Sequence, residues 1–369
     1  MRILYGVAGE GMGHATRAKA VLDSLTNRHD VRILSGSRAF EYLQRRFRAV
    51  HRIFGFHIIY WDNSVSDLGI LLYTFVRAPL LAFSFLKVLF LALTWKPQLI
   101  ITDYDPFTCY VGWLFGIPVV SISNQHILNK THVSYPRRYA WEAFKTRLVN
   151  ALLIPHAALH VITTFSFPRA NNAMLVPPIV RKELLRIRMS DSGPVLVYQT
   201  SKTNKRLVSV LRQLPGGFVV YGFGKRPATG NVLFKEFNET EFFKDIASCK
   251  AVITNGGYSL ISEAVTLGKP VLAEPVAKQF EQTLNALLLE KEGYGRMAAK
   301  IDVATVASFL AHLDGLKRRF SEESTELAGA EVAAGIIERF IQRISSGVRR
   351  SSVPAPFRAG TPWPFQLKH

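Results

Sequence analysis

Strand-like apolar runs alternate with helix-like stretches along both halves of this chain, and that alternation admits few folds. RILYGVAG (2–9), DVRILSGS (30–37), QLIITDY (98–104) and PVVSIS (118–123) read as strands, with HATRAKAVLDSL (14–25) as a helix after the first. PVLVYQTS (194–201), FVVYGFG (218–224), NVLFKEF (231–237), AVITNGG (251–257) and PVLAEP (270–275) repeat the style further on. The pattern predicts an α/β protein of two domains, each with a parallel sheet, and 369 residues suit two domains of ordinary size. FSFPRANNAMLVPPIVRKE (165–183), with three prolines and two asparagines, marks the boundary. The expected division is a first domain over 1–170, a linker over 171–192, a second domain over 193–340, and a basic proline-rich tail over 341–369.

Charge is distributed unevenly. Residues 1–192 carry 23 Lys+Arg against 11 Asp+Glu, residues 193–340 carry 18 against 16, and residues 341–369 carry 5 against none, giving +12, +2 and +5 of the total +19. So basic a first half expects an anionic partner, while the second half meets a different molecule. A nucleic acid would account for the charge, but no zinc pattern, RNP-like strand or recognition-helix signature accompanies it, so none is expected. Two cysteines, Cys109 and Cys249, support neither a disulfide scaffold nor a Cys-rich zinc site. The opening MRILYGVAG lacks the layout of a signal peptide, and a reducing, cytoplasmic setting is expected.

Residues 68–95, LGILLYTFVRAPLLAFSFLKVLFLALTW, stand apart, with 21 of 28 apolar. A membrane-spanning helix needs about 20 clean apolar residues, and Arg77, Pro79 and Lys87 interrupt this run. No acidic residue lies between Asp67 and Asp103. The segment suits a pair of helices lying in a membrane interface through Leu80, Phe83, Leu86 and Phe90, with the basic first half drawn to an anionic surface. The alternative is a buried helix whose Arg77 and Lys87 snorkel to water.

Two glycine loops carry the chemistry. Gly9-Glu10-Gly11-Met12-Gly13-His14 joins the first strand to a helix, where Gly11, Met12 and Gly13 let the backbone approach a ligand. A dinucleotide fold would place a third glycine where His14 stands and an acid where Ser35-Gly36-Ser37 stands. His14 at a helix start, in a local positive field that favours the neutral ring, is a candidate base, and Asp103, ending a later strand, is placed to orient it. Asp103-Tyr104-Asp105 is also D-x-D in form, but it lies in the half away from the second glycine loop and no metal is expected. Asn124-Gln125-His126 ends the next strand and is expected to face the same cleft.

The second loop opens TNGGYSLISEAVTLGKPVLAEPVAKQFEQTLN (254–285). Gly256, Gly257 and the helix start near Ser259 can cradle a phosphate with backbone N–H groups. Glu263, one turn further on the same face, can accept two hydrogen bonds from a ribose diol. Glu281-Gln282 opens a later helix and can hold sugar hydroxyls.

On these residues the chain resembles the GT-B glycosyltransferases, and is most similar to the group around the bacterial lipid-linked GlcNAc transferase of peptidoglycan synthesis, plant galactolipid synthases and UDP-glucuronosyltransferases. The resemblance is strongest over 251–295, where N-G-G-x-S-x-x-S-E-A-x-x-x-G-K-P is followed by E-Q-x-x-N-A, and good over 6–18, G-x-G-M-G-H-A-T-R-A. It implies two Rossmann-like domains with a cleft between them, the first holding the acceptor and the second a nucleotide-sugar, a UDP-sugar in this group. It puts Gly256, Gly257 and Ser259 on the diphosphate, Glu263 on the ribose, and Glu281 and Gln282 on the donor sugar. Thr200 and Ser201 would also meet phosphate, although Y-Q-T-S departs from the usual Gly-Ser form, and Asn255 replaces a basic residue often found at the head of the N-G-G loop. Lys202 and Lys205 are candidates to stabilise the leaving diphosphate. The implied activity is an inverting, metal-independent transfer to a hydroxyl of a membrane-associated lipid or lipid-linked acceptor, at the inner face of the cell membrane, with no cofactor beyond the donor. The rivals are a UDP-sugar 2-epimerase of the same fold, a transferase acting on a soluble small molecule, and a non-catalytic partner subunit.

Overall fold

A computed structural model describes residues 1–61, 64–199, 205–322 and 329–346. The first sheet is seven-stranded and wholly parallel. Its strands are β1 Arg2–Val7, β2 Asp30–Ser35, β3 Val50–Arg52, β6 Leu99–Asp103, β7 Val119–Ser123, β8 Leu159–Thr163 and β9 Met174–Val176, in the order β3-β2-β1-β6-β7-β8-β9. A two-stranded hairpin, β4 Tyr60–Trp61 with β5 Ser64–Val65, stands outside it. The second sheet, also parallel, runs β12-β11-β10-β13-β14-β15 from β10 Val195–Tyr198, β11 Phe218–Tyr221, β12 Val232–Lys235, β13 Val252–Thr254, β14 Val271–Ala273 and β15 Gly295–Met297.

These strands are short apolar runs because helices cover both faces of each sheet, so alternation with polar residues is not needed. All five residues of β6 and of β8 are buried. In each sheet the winding direction reverses once, between β1 and β6 and between β10 and β13. Open α/β sheets bind ligands beyond the carboxyl ends of the strands at such switch points. Val7 pairs with Asp103 across the first, and Tyr198 with Thr254 across the second. The two loops singled out in the sequence therefore leave the sheets where the topology opens a crevice.

Two boundaries differ from the sequence expectation. Met174–Val176 is the seventh strand of the first sheet, so the segment expected to be a linker over 171–192 begins inside the first domain. Helix Gly329–Ser345 belongs by packing to the first domain and not to the second: Ala330, Ala333, Ile337 and Ile341, one stripe at helical spacing, join the core of Ile3, Tyr5 and Val21. The tail beyond residue 346 lies outside the described residues.

Residues 67–95 form one continuous helix, Asp67–Trp95, where two had been expected. Ser66 caps its start by accepting from Gly69 N–H, and Lys96, in the left-handed region, ends it. Pro79 removes the donor that would meet the carbonyl of Phe75, but both residues are exposed, so water can serve that carbonyl and the helix continues. By length and composition it is the one helix among the described residues apolar enough to cross a membrane, with 22% of its most apolar window buried. Its last third is built into the domain: Val88, Leu91, Ala92 and Trp95 pack against Leu4, Ile100 and Val111.

Candidate active site

Helix Met12–Leu25 starts at Gly11, whose φ of 80° is one that a side chain resists. Two residues into it, His14 directs Nδ1 at Asp103 Oδ1 over 2.7 Å. Asp103 is fully buried at the end of β6. Burial alone would raise its pKa, but the Arg17 guanidinium and His14 more than offset this and hold it below the ordinary carboxylate range. An ionised carboxylate only accepts, so this contact asks for the hydrogen on Nδ1, an atom that Arg17 Nη2 also approaches at 2.9 Å, and in the neutral ring so arranged Nε2 is the acceptor. The His14 side chain is 16% exposed, so the ring is within reach of a ligand in the cleft.

Arg17, one helical turn past His14 and 3% exposed, is a site residue that the sequence reading overlooked. Its Nε donates to Asp103 Oδ2 at 2.8 Å, a second nitrogen donates to Oδ1, and Nη1 donates to Asn124 Oδ1 at 3.2 Å. The carboxylate therefore serves both the guanidinium and the imidazole. With Arg17 compensating its charge, Asp103 fixes the ring and its tautomer more than it stabilises an imidazolium.

A pH dependence of stability follows. Because the folded carboxyl titrates below its unfolded value of about 3.9, its contribution is fully present above that value and is lost as the pH falls through the lower, folded one. In urea denaturation carried from neutral towards acid pH, Asp103→Asn should show a shallower acid-side loss of stability than the wild-type chain. Equal slopes would mean that this carboxyl titrates normally.

Tyr104 follows Asp103 with φ at 59°, unusual for a bulky side chain and costing of order 1–3 kcal/mol unless the surroundings hold it. Its ring stacks on His14 at 6.2 Å and its hydroxyl donates to Asn150 Oδ1. His126 does not face the cleft as expected. It is 2% exposed, with Nδ1 2.7 Å from Ser123 Oγ and its ring 4.8 Å from that of His160. Burial, then Lys130, pushes it down to about 4, so it stays neutral in the core. Asp105 caps helix Pro106–Leu114 through Thr108 N–H at 2.9 Å, which accounts for the second acid of the D-x-D.

Across the cleft, Gly256 takes φ 93° after β13, Gly257 caps helix Tyr258–Thr266, and the next helical residue after Tyr258 is Ser259. A Cβ on Gly13 would fall 2.1 Å from Ser259 Oγ, so the two glycine loops touch. Glu281 Oε1 accepts from Asn124 Nδ2 at 2.9 Å, a second bridge between the domains. Gln282 is less available than expected: its Oε1 accepts from Val276 N–H at 3.0 Å and pins the loop before helix Phe280–Lys291.

Glu263 is not the free carboxylate that the sequence suggested. Arg181, from the segment joining the domains, grips it with Nε at 2.7 Å and Nη2 at 2.8 Å, lies over the Phe243 ring, and also donates to Glu239 Oε1 at 3.2 Å. Each carboxylate oxygen keeps a second lone pair, so a diol can be accepted only alongside or in place of the guanidinium. Thr200, Ser201 and Lys202 lie outside the described residues, as does the Lys205 side chain.

The geometry thus joins a His–Asp pair in one Rossmann-like domain to a glycine-led helix start in the other. The family model described as glycosyl transferase family 1 matches residues 1–314. The chain belongs to this glycosyltransferase family. Two uncharacterized glycosyltransferases are similar: one from Methanosarcina mazei at 25% identity over 80% of this chain and 85% of its own, and one from Methanosarcina acetivorans at 24% over the same shares. Among solved structures, the calicheamicin glycosyltransferase CalG4 superposes with a TM-score of 0.67 at 14% identity, covering 94% of this chain and 99% of its own. MurG from Acinetobacter baumannii does so with 0.59 at 15%, covering 92% and 99%. This glycosyltransferase accordingly has the GT-B fold expected from its two loops.

Proposed function

We propose that this glycosyltransferase moves a sugar from a UDP-sugar, with inversion and without a metal, to a hydroxyl of a lipid or lipid-linked acceptor at the inner face of the cell membrane. The observation that carries the reading is the contact of the two loops, Gly13 on Ser259, beside the His14–Asp103 pair. It brings His14 of one domain close to the start of helix Tyr258–Thr266 of the other, which supports a single displacement with a base on one side and a diphosphate on the other.

In that displacement His14 Nε2 takes the proton of the acceptor hydroxyl. The oxygen attacks the anomeric carbon from the face opposite the diphosphate, and the bond to the diphosphate breaks with its electron pair leaving on UDP. The amide groups at the start of helix Tyr258–Thr266 meet the developing charge. Glu263 takes the ribose diol, and Glu281, next to Asn124, takes a sugar hydroxyl once the domains part to admit the donor.

Support for a lipid acceptor comes from the exposed face of helix Asp67–Trp95. Leu68, Leu71, Leu72, Phe75, Phe83, Leu86, Phe90 and Leu93 are each more than half exposed, and at helical spacing they fall within a stripe about 120° wide. Lys145 ties the start of this helix to helix Ala140–Leu153, whose Trp141, Phe144 and Leu152 are exposed as well. Monomeric soluble proteins rarely leave so continuous an apolar face to water.

A thermal-shift screen over free nucleotides and nucleotide-sugars tests the donor. UDP and one or more UDP-sugars should raise Tm by mass action. Glu263→Ala should weaken that binding by about 1–3 kcal/mol, the worth of a charge-assisted bond. A folded variant that binds UDP as tightly as the wild type would remove Glu263 from the donor site, and a screen with no uridine nucleotide among the stabilisers would remove the donor class.

A further inference from the structure

Asn150 is fully buried on the inner side of helix Ala140–Leu153 and uses both ends of its amide. Its Oδ1 accepts from the Tyr104 hydroxyl, and its Nδ2 donates to the Gln125 carbonyl at 3.1 Å and to Asn129 Oδ1 at 2.9 Å. A mid-helix asparagine is a poor helix former, and a buried amide is costly unless bonded. Here the bonds converge on the two residues that flank the His14 ring. Tyr104 lies parallel to it at 6.2 Å with an interplanar angle of 14°, and Gln125 Nε2 stands 3.5 Å from His14 Nε2, the atom assigned to accept the proton. Gln125 Oε1 is buried without a hydrogen-bond partner, so the grip on its side chain comes largely from the backbone end, where Asn150 holds the carbonyl.

We propose that Asn150 is a positioning residue for the transfer reaction: it fixes the stacking Tyr104 and the amide of Gln125 around His14, and so ties the base to helix Ala140–Leu153. The proposal rests on the reading of His14 as the base. Asn150 itself touches neither His14 nor Asp103 through any hydrogen bond among the described residues, so its removal leaves the Nδ1–Asp103 contact in place and alters the ring's other side. The two nitrogens of one imidazole should therefore respond differently, which a general loosening of the fold would not produce.

The test uses the full chain labelled with ¹⁵N-histidine, the His14 resonances being assigned by their loss in His14→Ala. In Asn150→Leu the Nε2 resonance should move while Nδ1 keeps its position, and Tyr104→Phe, which breaks only the hydroxyl link, should move Nε2 less. With the UDP-sugar chosen by the thermal-shift screen, Asn150→Leu should hydrolyse the donor with kcat about 10- to 100-fold lower, on the scale of a small misplacement of reacting groups, and an unchanged donor KM. If Asn150→Leu does not fold, Tyr104→Phe decides through the same two measurements. Folded variants with wild-type Nε2 shifts and wild-type kcat would overturn the proposal. Wild-type hydrolysis by His14→Ala would overturn the reading beneath it instead, and the two failures are thereby told apart.

Discussion

His14→Ala should cut sugar transfer about 10²–10⁴-fold, the usual contribution of a positioned general base, with donor affinity almost unchanged. The reasons lie on opposite walls of the cleft. The imidazole belongs to the first domain, held by Asp103 at 2.7 Å, while the groups expected to hold the nucleotide follow β13 in the second. Loss of the ring removes the proton acceptor and leaves the helix start at Gly257 and Ser259 intact. A KM effect without a kcat effect would contradict this, because an interaction confined to the transition state lowers kcat. Normal turnover would be more damaging still, for neither Asp103 nor His126 is placed to replace the ring. Asp103 is fully buried and engaged by Arg17, and His126 is buried in the core with its ring pressed against His160. Asp103→Asn should give a smaller loss than His14→Ala, since an asparagine keeps the ring near its place but can present a donor to Nδ1 and so favour the wrong tautomer.

The parts of this site visible in the sequence are those in which backbone and chemistry coincide. A glycine loop between a strand and a helix has one place to go in a parallel sheet, so Gly9 to His14 and Asn255 to Ser259 announced the crevice. Asp103 was placed opposite His14 because both end or follow strands that the fold sets side by side, and Val7 does pair with Asp103. Arg17 was legible by helical arithmetic, one turn past His14, and was overlooked because a basic residue on a basic helix raises no signal by itself. Arg181 was not legible. It meets Glu263 across 82 residues of sequence, and only the path of the connecting segment brings them together. The same holds for Asn150 and Tyr104, which lie 46 residues apart. The C-terminal helix was assigned to the second domain by its place in the chain, whereas its apolar stripe packs on the first. Pro79 misled in the opposite sense, since on an exposed helix face the carbonyl it frees can turn to water and the helix continues past it.

Binding to vesicles is the second large effect expected, and the shape of helix Asp67–Trp95 argues for it more closely than its composition did. Ser84, Val88, Leu91, Ala92 and Trp95 are buried on one side, while Phe75, Phe83, Leu86 and Phe90, 58–79% exposed, line the other. Of the four residues singled out in the sequence, Leu80 alone is half-buried. A helix built into its domain along one face and apolar along the opposite one is shaped to lie on a bilayer, with the domain above it. Exposed basic residues nearby, Arg77, Lys96, Arg137, Arg138 and Arg147, would each add about 1 kcal/mol near an anionic leaflet. The purified protein should sediment with vesicles containing anionic lipid and much less with neutral ones, and added salt should weaken the binding without abolishing it, because apolar burial is not screened. Replacing Phe75, Phe83, Leu86 and Phe90 together by Ser should lower the vesicle partition coefficient on the order of 1,000-fold or more, since burying each such side chain contributes roughly 1.5–3 kcal/mol when complete. UDP binding should survive in the same variant, as these residues lie on the outer side of the other domain. Equal sedimentation of variant and wild type would show that another surface makes the contact. A native protein that ignores vesicles would turn the acceptor into a soluble molecule, and the basic first half would then answer to the charge of that acceptor.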